Sequence, residues 1–151
     1  MLPPDPEDVT STGTLSVNYE NSGGPNAGEG SIRVTDNDLG TKFLINPYNP
    51  ALYMQLQFRD AKRVISYALT SGNDANTRDP KNWTLAGSND GTTWTTVDTK
   101  TDEIFASRGL TKNYAITNET AYTYYRLSIT ANNGSSLFQM AEWRVTAMPK
   151  Q

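Results

Sequence analysis

Neither cysteine nor histidine occurs among the 151 residues. Without cysteine there is no disulfide framework, no thiolate zinc site and no thiol nucleophile. Without histidine the usual general base near neutral pH, the Ser-His-Asp triad and the commonest transition-metal ligand are all excluded. Catalysis would have to run on carboxylates, tyrosine, lysine or a hard metal ion. Charge is also scarce, at 19 % of residues with a formal net charge of −3. That balance supplies no cationic footprint for nucleic acid or for an anionic lipid surface, so neither is expected as a partner. No apolar run approaches a membrane span, and the start Met1-Leu2-Pro3-Pro4-Asp5 lacks a signal-peptide pattern.

What the chain does contain is 36 % hydrophobic residues, enough for one core, set among Thr, Asn, Ser and Gly. Residues 1–13 combine Pro3, Pro4 and Pro6 with Asp5, Glu7 and Asp8 and almost nothing apolar, which predicts a disordered linker severed from a longer upstream chain. Residues 14–151 are then a single domain. Within it, Tyr53-Met54-Gln55-Leu56-Gln57-Phe58 alternates strictly and puts Met54, Leu56 and Phe58 on one face of a strand. Tyr125–Ile129, Trp83–Ala86 and Trp143–Thr146 repeat the device, and Trp83, Trp94, Tyr125 and Trp143 are assigned to the core. Turn signals separate these runs: Ser88-Asn89-Asp90-Gly91, Ser71-Gly72-Asn73-Asp74 and Asn132-Asn133-Gly134. With no sustained helical periodicity, the prediction is all-β, about eight main antiparallel strands in a sandwich or barrel.

One loop, Asp36-Asn37-Asp38-Leu39-Gly40-Thr41, concentrates oxygen ligands of the kind a hard cation takes. It is not an EF-hand, because Thr41 stands where that loop needs glycine and Pro47 where it needs glutamate. By spacing alone a solvated turn and a cation loop both stay open.

The order of motifs carries a resemblance. Arg78-Asp79-Pro80-Lys81-Asn82-Trp83, then Gly87-Ser88-Asn89-Asp90-Gly91 with Trp94, then Tyr124-Tyr125-Arg126-Leu127 and the terminal Gln139-Met140-Ala141-Glu142-Trp143 resemble the discoidin, or coagulation factor V/VIII type C (F5/8 type C), domain. Val34-Thr35-Asp36-Asn37-Asp38 with Thr41-Lys42-Phe43 is similar to that family's first loop. The resemblance implies a jelly-roll β-sandwich of galactose-binding-like type. Lacking the cysteines of the animal branch, the chain is most similar to the bacterial carbohydrate-binding modules of family 32. These are appended to secreted or surface glycoside hydrolases such as chitobiases and hexosaminidases. The missing histidine departs from many galactose-binding members.

The resemblance further implies a structural Ca²⁺ held by Asp36, Asp38, Thr41 and Glu142 with carbonyls of Arg33 and Ala141, joining the two chain-terminal edges of the sandwich. For a sugar, exposed aromatic planes and amides in loops are the candidates. They are Asn46, Tyr48 and Asn49 in the proline-stiffened Asn46–Pro50 loop, Asn133 and Phe138 in the Asn132–Phe138 loop, and Arg78 and Arg108. Asn82, Asn118 and Asn133 begin glycosylation sequons, expected by chance in a chain so rich in Asn and Thr. No carboxylate pair is singled out for glycosidase chemistry.

The expectation is therefore a non-catalytic carbohydrate-binding module that binds a terminal monosaccharide or short glycan. It would be covalently attached to an upstream catalytic domain and placed outside the bacterial cell, in the periplasm or on the surface. The competing reading is a protein-interaction or spacer domain of the same fold without a sugar site.

Overall fold

The computed structural model describes residues 5–149. Ten strands run in chain order: β1 (Glu7–Asp8), β2 (Thr14–Val17), β3 (Phe43–Ile45), β4 (Tyr53–Thr70), β5 (Pro80–Ser88), β6 (Thr95–Lys100), β7 (Thr111–Ala115), β8 (Tyr122–Asn132), β9 (Phe138–Met140) and β10 (Glu142–Met148). Three short 3-10 turns, Thr10–Thr12, Ser31–Thr35 and Asn76–Arg78, complete the described elements, and every strand pairing is antiparallel. The expected all-β sandwich is what forms.

The long strand β4 builds both layers. Its first part, Tyr53–Gln57, lies between β2 and β8, and β8 continues through β5 to β6. Its last part, Ser66–Thr70, lies between β10 and β7. The register breaks between Gln57 and Lys62, where the strand crosses from one layer to the other. Tyr125 holds that crossing: its phenol donates to the Lys62 carbonyl at 2.5 Å and accepts from the Val64 N–H at 3.1 Å and from Asn118 Nδ2 at 3.2 Å. The first half alternates as a strand with one wet face should, sending Met54, Leu56 and Phe58 into the core; the second sends in Val64, then, past a register shift against β10, Tyr67 and Leu69. Trp83, Leu85, Leu127, Ile129, Trp143 and Val145 fill that core from the neighbouring strands.

The linker prediction is corrected for its described part. Glu7 and Asp8 pair in register with Ala147 and Thr146 of β10, and Val9 is buried at 3 % exposure in the core. Thr10 Oγ1 accepts the Val145 N–H at 2.8 Å, and Asp8 takes two hydrogen bonds from Arg144 at 2.8 and 3.1 Å. Local composition predicts disorder because the partners of this segment lie at the far end of the chain. The domain thus begins by Glu7; residues 1–4 of the predicted linker lie outside the described residues. Trp94 is a second correction. It is half-buried on the outer surface of the β4–β8 layer, with its ring over Arg126, because it follows the β5–β6 turn and does not occupy an inward strand position.

Candidate functional site

Loops 71–79, 101–110 and 132–137 meet at one edge of the sandwich, the first two joined by an ion pair and the first and third by the Asn133 and Ser135 N–H groups on Asp79 O and Thr77 O. Arg108 grips Asp79 with both prongs, Nη1 to Oδ1 at 2.9 Å and Nη2 to Oδ2 at 2.5 Å. Its remaining donors go to the carbonyls of Asp74 at 3.1 Å and Phe105 at 3.3 Å. Burial pushes the Asp79 carboxyl up, against the pull of the guanidinium. Arg108 is therefore a brace between loops, with both terminal nitrogens on protein acceptors, and not the free loop side chain that the sugar-contact expectation assumed.

Asn133 sits on the same brace. Its Nδ2 donates to the carbonyls of Asp79 at 3.2 Å and Pro80 at 3.4 Å, and the residue is half-buried. Together with exposed Asn76 and Thr77, with Ile104 at 62 % exposure, and with the floor of Asp79 and Phe105, Asn133 lines a small cup of about 130 Å³. Sequence reasoning missed Asn76, Thr77 and Ile104. The usable signal was Ile104, which forms with Phe105 a large apolar pair in an otherwise polar loop.

The other predicted contacts separate. Phe138 is fully buried at 0 % exposure, opposite Ile45 in the β3–β9 pair, and is a core residue. Tyr48 turns inward as well. Its backbone N–H donates to Ser136 O at 2.7 Å, its phenol donates to Ile129 O at 2.7 Å, and its ring lies 5.9 Å from that of Phe138. Burial pushes the Tyr48 phenol up to about 12. The loop presents the Tyr48 ring to the core and not to solvent. Asn49 closes a turn on the Ala51 N–H at 2.8 Å, while Asn46 is exposed beside it, neither of them in the cup. Arg78 faces Gln139 Oε1 at 3.4 Å and Asp74 at 3.8 Å, half-buried behind the cup.

The Asp36–Thr41 loop folds onto itself. Asp36 accepts the Thr41 hydroxyl at 2.5 Å and the Asp38 N–H at 3.0 Å, and Asp38 accepts the Gly40 N–H at 2.8 Å. Glu142, at 1 % exposure, closes the loop from below: Oε2 accepts the Asn37 N–H at 3.2 Å and Arg144 Nη1 at 3.1 Å. Its other oxygen, Oε1, is buried with no hydrogen-bond partner among the described residues. Burial pushes the Glu142 carboxyl up to about 8, against Arg144 and the Asn37 amide, with the nearby Asp36 carboxylate adding to the rise. Among the described residues no three acidic side chains converge as a cluster. Arg33 donates to Ala27 O at 3.2 Å, and Ala141 is buried at the start of β10.

A larger cleft, about 630 Å³, opens where β1 and the end of β10 meet the β4 crossing, beside Glu7, Asp60, Lys62, Arg63 and Met148. It borders both ends of the described chain and holds none of the residues that the sequence singles out.

The family model of the F5/8 type C domain matches residues 13–143. The chain belongs to the F5/8 type C domain family. The fold of this F5/8 type C domain extends beyond the match at both ends, through β1 and most of β10. A curated relative, the peptide-N(4)-(N-acetyl-beta-glucosaminyl)asparagine amidase of Arabidopsis thaliana, is 38 % identical over 88 residues, 55 % of this chain and 12 % of the relative. The domain thus spans about an eighth of that relative's length. Among solved structures, the CBM32-5 module of a Clostridium perfringens GH89 enzyme, in complex with GalNAc-beta-1,3-galactose, superposes with a TM-score of 0.74 at 16 % identity, covering 92 % of this chain and 99 % of that one. Chitosan-binding module 1 of a Paenibacillus sp. IK-5 chitosanase/glucanase superposes at 0.71 with 20 % identity, covering 92 % and 98 %. At these identities the shared property is the fold.

Proposed function

We propose that the domain is a non-catalytic carbohydrate-binding module that receives one terminal neutral sugar in the cup formed by Asn76, Thr77, Ile104 and Asn133. The observation that carries this reading is the cup's chemistry. Amide and hydroxyl groups face an exposed aliphatic flank, suited to hydroxyls and a C–H face respectively, while the one carboxylate, Asp79, is neutralised by Arg108. A volume of about 130 Å³ suits a single ring, not an extended chain. Structural neighbours that bind GalNAc-beta-1,3-galactose and chitosan support the class of ligand. Binding this shallow is weak. Its use is to hold an attached catalytic domain, in our reading a glycoside hydrolase outside the bacterial cell, near its substrate at raised effective concentration.

Calorimetric titration with Gal, GalNAc, GlcNAc and their terminal disaccharides at millimolar concentration tests the site. Asn76→Ala and Thr77→Val are expected to weaken binding about fivefold or more at an unchanged melting temperature, since surface changes away from packed groups cost within about 0.5 kcal/mol. Failure of every neutral sugar to bind the unaltered domain removes the proposal. It would favour the second reading, a spacer or protein-interaction domain, to which the inward turn of Tyr48 and Phe138 already lends weight.

We also propose a structural Ca²⁺ beneath the Asp36–Thr41 loop. The orphaned Glu142 Oε1 is the fitting observation: a buried carboxylate oxygen with no donor is poorly solvated, and a hard cation satisfies it without one. Asp36, Asp38, Thr41 and Glu142, with carbonyls of Arg33 and Ala141, would hold the ion. Its contribution is cross-linking and not Lewis-acid chemistry.

A further inference from the structure

The outer face of the β4–β8 layer carries a feature that the cup does not need. Strand alternation that buries Met54, Leu56 and Leu127 turns Tyr53, Gln55 and Arg126 to the outside. Arg126 stands in register with Gln55 on one side and with Ala86 on the other. Its Nε and Nη2 both donate to Gln55 Oε1, at 3.0 and 2.8 Å. The guanidinium carbon lies 3.8 Å from the Tyr53 ring centre and 4.1 Å from that of Trp94. Trp94 is itself set edge-on against Tyr124 at 6.2 Å. Two aromatic faces and an amide thus hold the guanidinium plane, which removes much of the rotamer freedom an exposed arginine would lose on binding.

What is missing is an anion. Arg126 has no ion-pair partner among the described residues, its cross-strand neighbours Gln55 and Ala86 are neutral, and its Nη1 takes no protein acceptor among them. A planar fork with a free edge matches a carboxylate, and Tyr53 and Trp94, each with one ring face on the guanidinium, have a second face that would take a pyranose C–H face. The surface is the flat side of a sheet and not a cup, so it suits a chain lying along it.

We infer that this face is a second glycan site, and that its ligand is a polyuronate, an acidic polysaccharide whose sugar carboxylates pair with Arg126 while neighbouring rings stack on Trp94 and Tyr53. It is independent of the cup, which takes a neutral chain end.

Affinity electrophoresis in native gels containing polygalacturonate or alginate, with neutral galactan as control, tests it at low salt. A protein of net charge −3 has no general attraction to such polymers, so retardation reports a local site. The unaltered domain is expected to be retarded by the polyuronates, less so as salt rises. Arg126→Gln should abolish the effect, and Trp94→Ala should weaken it tenfold or more. Ser128→Glu, which leaves the stack intact but adds a carboxylate on the same face, should abolish it too. Asn76→Ala should leave it unchanged, so that failure of the cup and failure of this face read out separately. The inference is overturned if polyuronates do not retard the unaltered domain, or if Arg126→Gln, shown folded by its melting curve, is retarded equally. Retardation by dextran sulfate with the same dependence on Arg126 would overturn the carboxylate assignment. Concentration-dependent self-association lost in Trp94→Ala would assign the face to a second copy of the chain instead.

Discussion

Asp90 shows how much one exposed side chain can decide. In the β5–β6 turn its carboxylate accepts the Thr93 N–H at 2.8 Å, the Thr92 N–H at 2.9 Å and the Ser88 hydroxyl at 3.0 Å, while Gly91 takes the positive φ of 76° that the reversal requires. Those donors favour the charged form and hold the Asp90 carboxyl well below the ordinary carboxylate range. A carboxyl whose folded pKa is depressed contributes stability that is present above its unfolded value of about 3.9 and is lost as pH falls toward the folded value. Asp90→Ala is therefore expected to lower the melting temperature at pH 7, and the gap from the unaltered domain should narrow as pH falls below about 4. A gap that stays constant from pH 7 to pH 2 in scanning calorimetry would refute the assignment. The Asp-Gly pair announced this turn, whereas the inward rotation of Tyr48 was invisible, because it depends on carbonyls of Ile129 and Ser136 brought up from the other end of the chain.

At the scale of elements, β1 is the informative case. Two residues of strand contribute little ladder, yet Asp8 meets Arg144, Val9 enters the core and Thr10 exchanges hydrogen bonds with Val145. A linker would tolerate any change at Val9. A core position would not: Val9→Ala is expected to lower unfolding stability by about 1–3 kcal/mol, read as a lower urea midpoint at unchanged slope. An unmoved midpoint would return residues 7–10 to the linker. β4 divides the same way. Its first half was legible from the alternation of Met54, Leu56 and Phe58 with Gln55 and Gln57, since a period of two is a local property. The crossing between layers was not, because it is made by a register break and by the phenol of Tyr125 on β8.

For the whole molecule, the proposed ion would tie the Asp36 loop to β10, the strand that also holds β1. A ligand that binds only the folded chain stabilises it by mass action, about 2.7 kcal/mol at a hundredfold excess over Kd. Chelation of metal-loaded protein is accordingly expected to lower the melting temperature by several degrees, reversibly on adding Ca²⁺, and Glu142→Gln should abolish both shifts. A melting curve that neither EDTA nor Ca²⁺ moves would exclude the cross-link. The aromatic residues make the same point about scale. Trp83 and Trp143 are core as their strand positions predict, while Trp94 leaves the core for Arg126, a partner 32 positions away that no local pattern names.

The sequence by itself determined the fold class, the family and the chemistry that is excluded. Alternation, turn residues and the absence of cysteine and histidine are properties of residue identity and short-range order, and several motifs in fixed order are specific where each alone is not. Only the tertiary structure decided which polar groups are free. Arg108 and Asp79 cancel, Phe138 and Tyr48 turn inward, Glu142 keeps an unpaired oxygen, and Asn76, Thr77, Ile104 and Arg126 remain outward. A hydrogen-bond partner or an ion pair is a relation between residues distant in the chain, and no residue's own identity records whether that relation has been made.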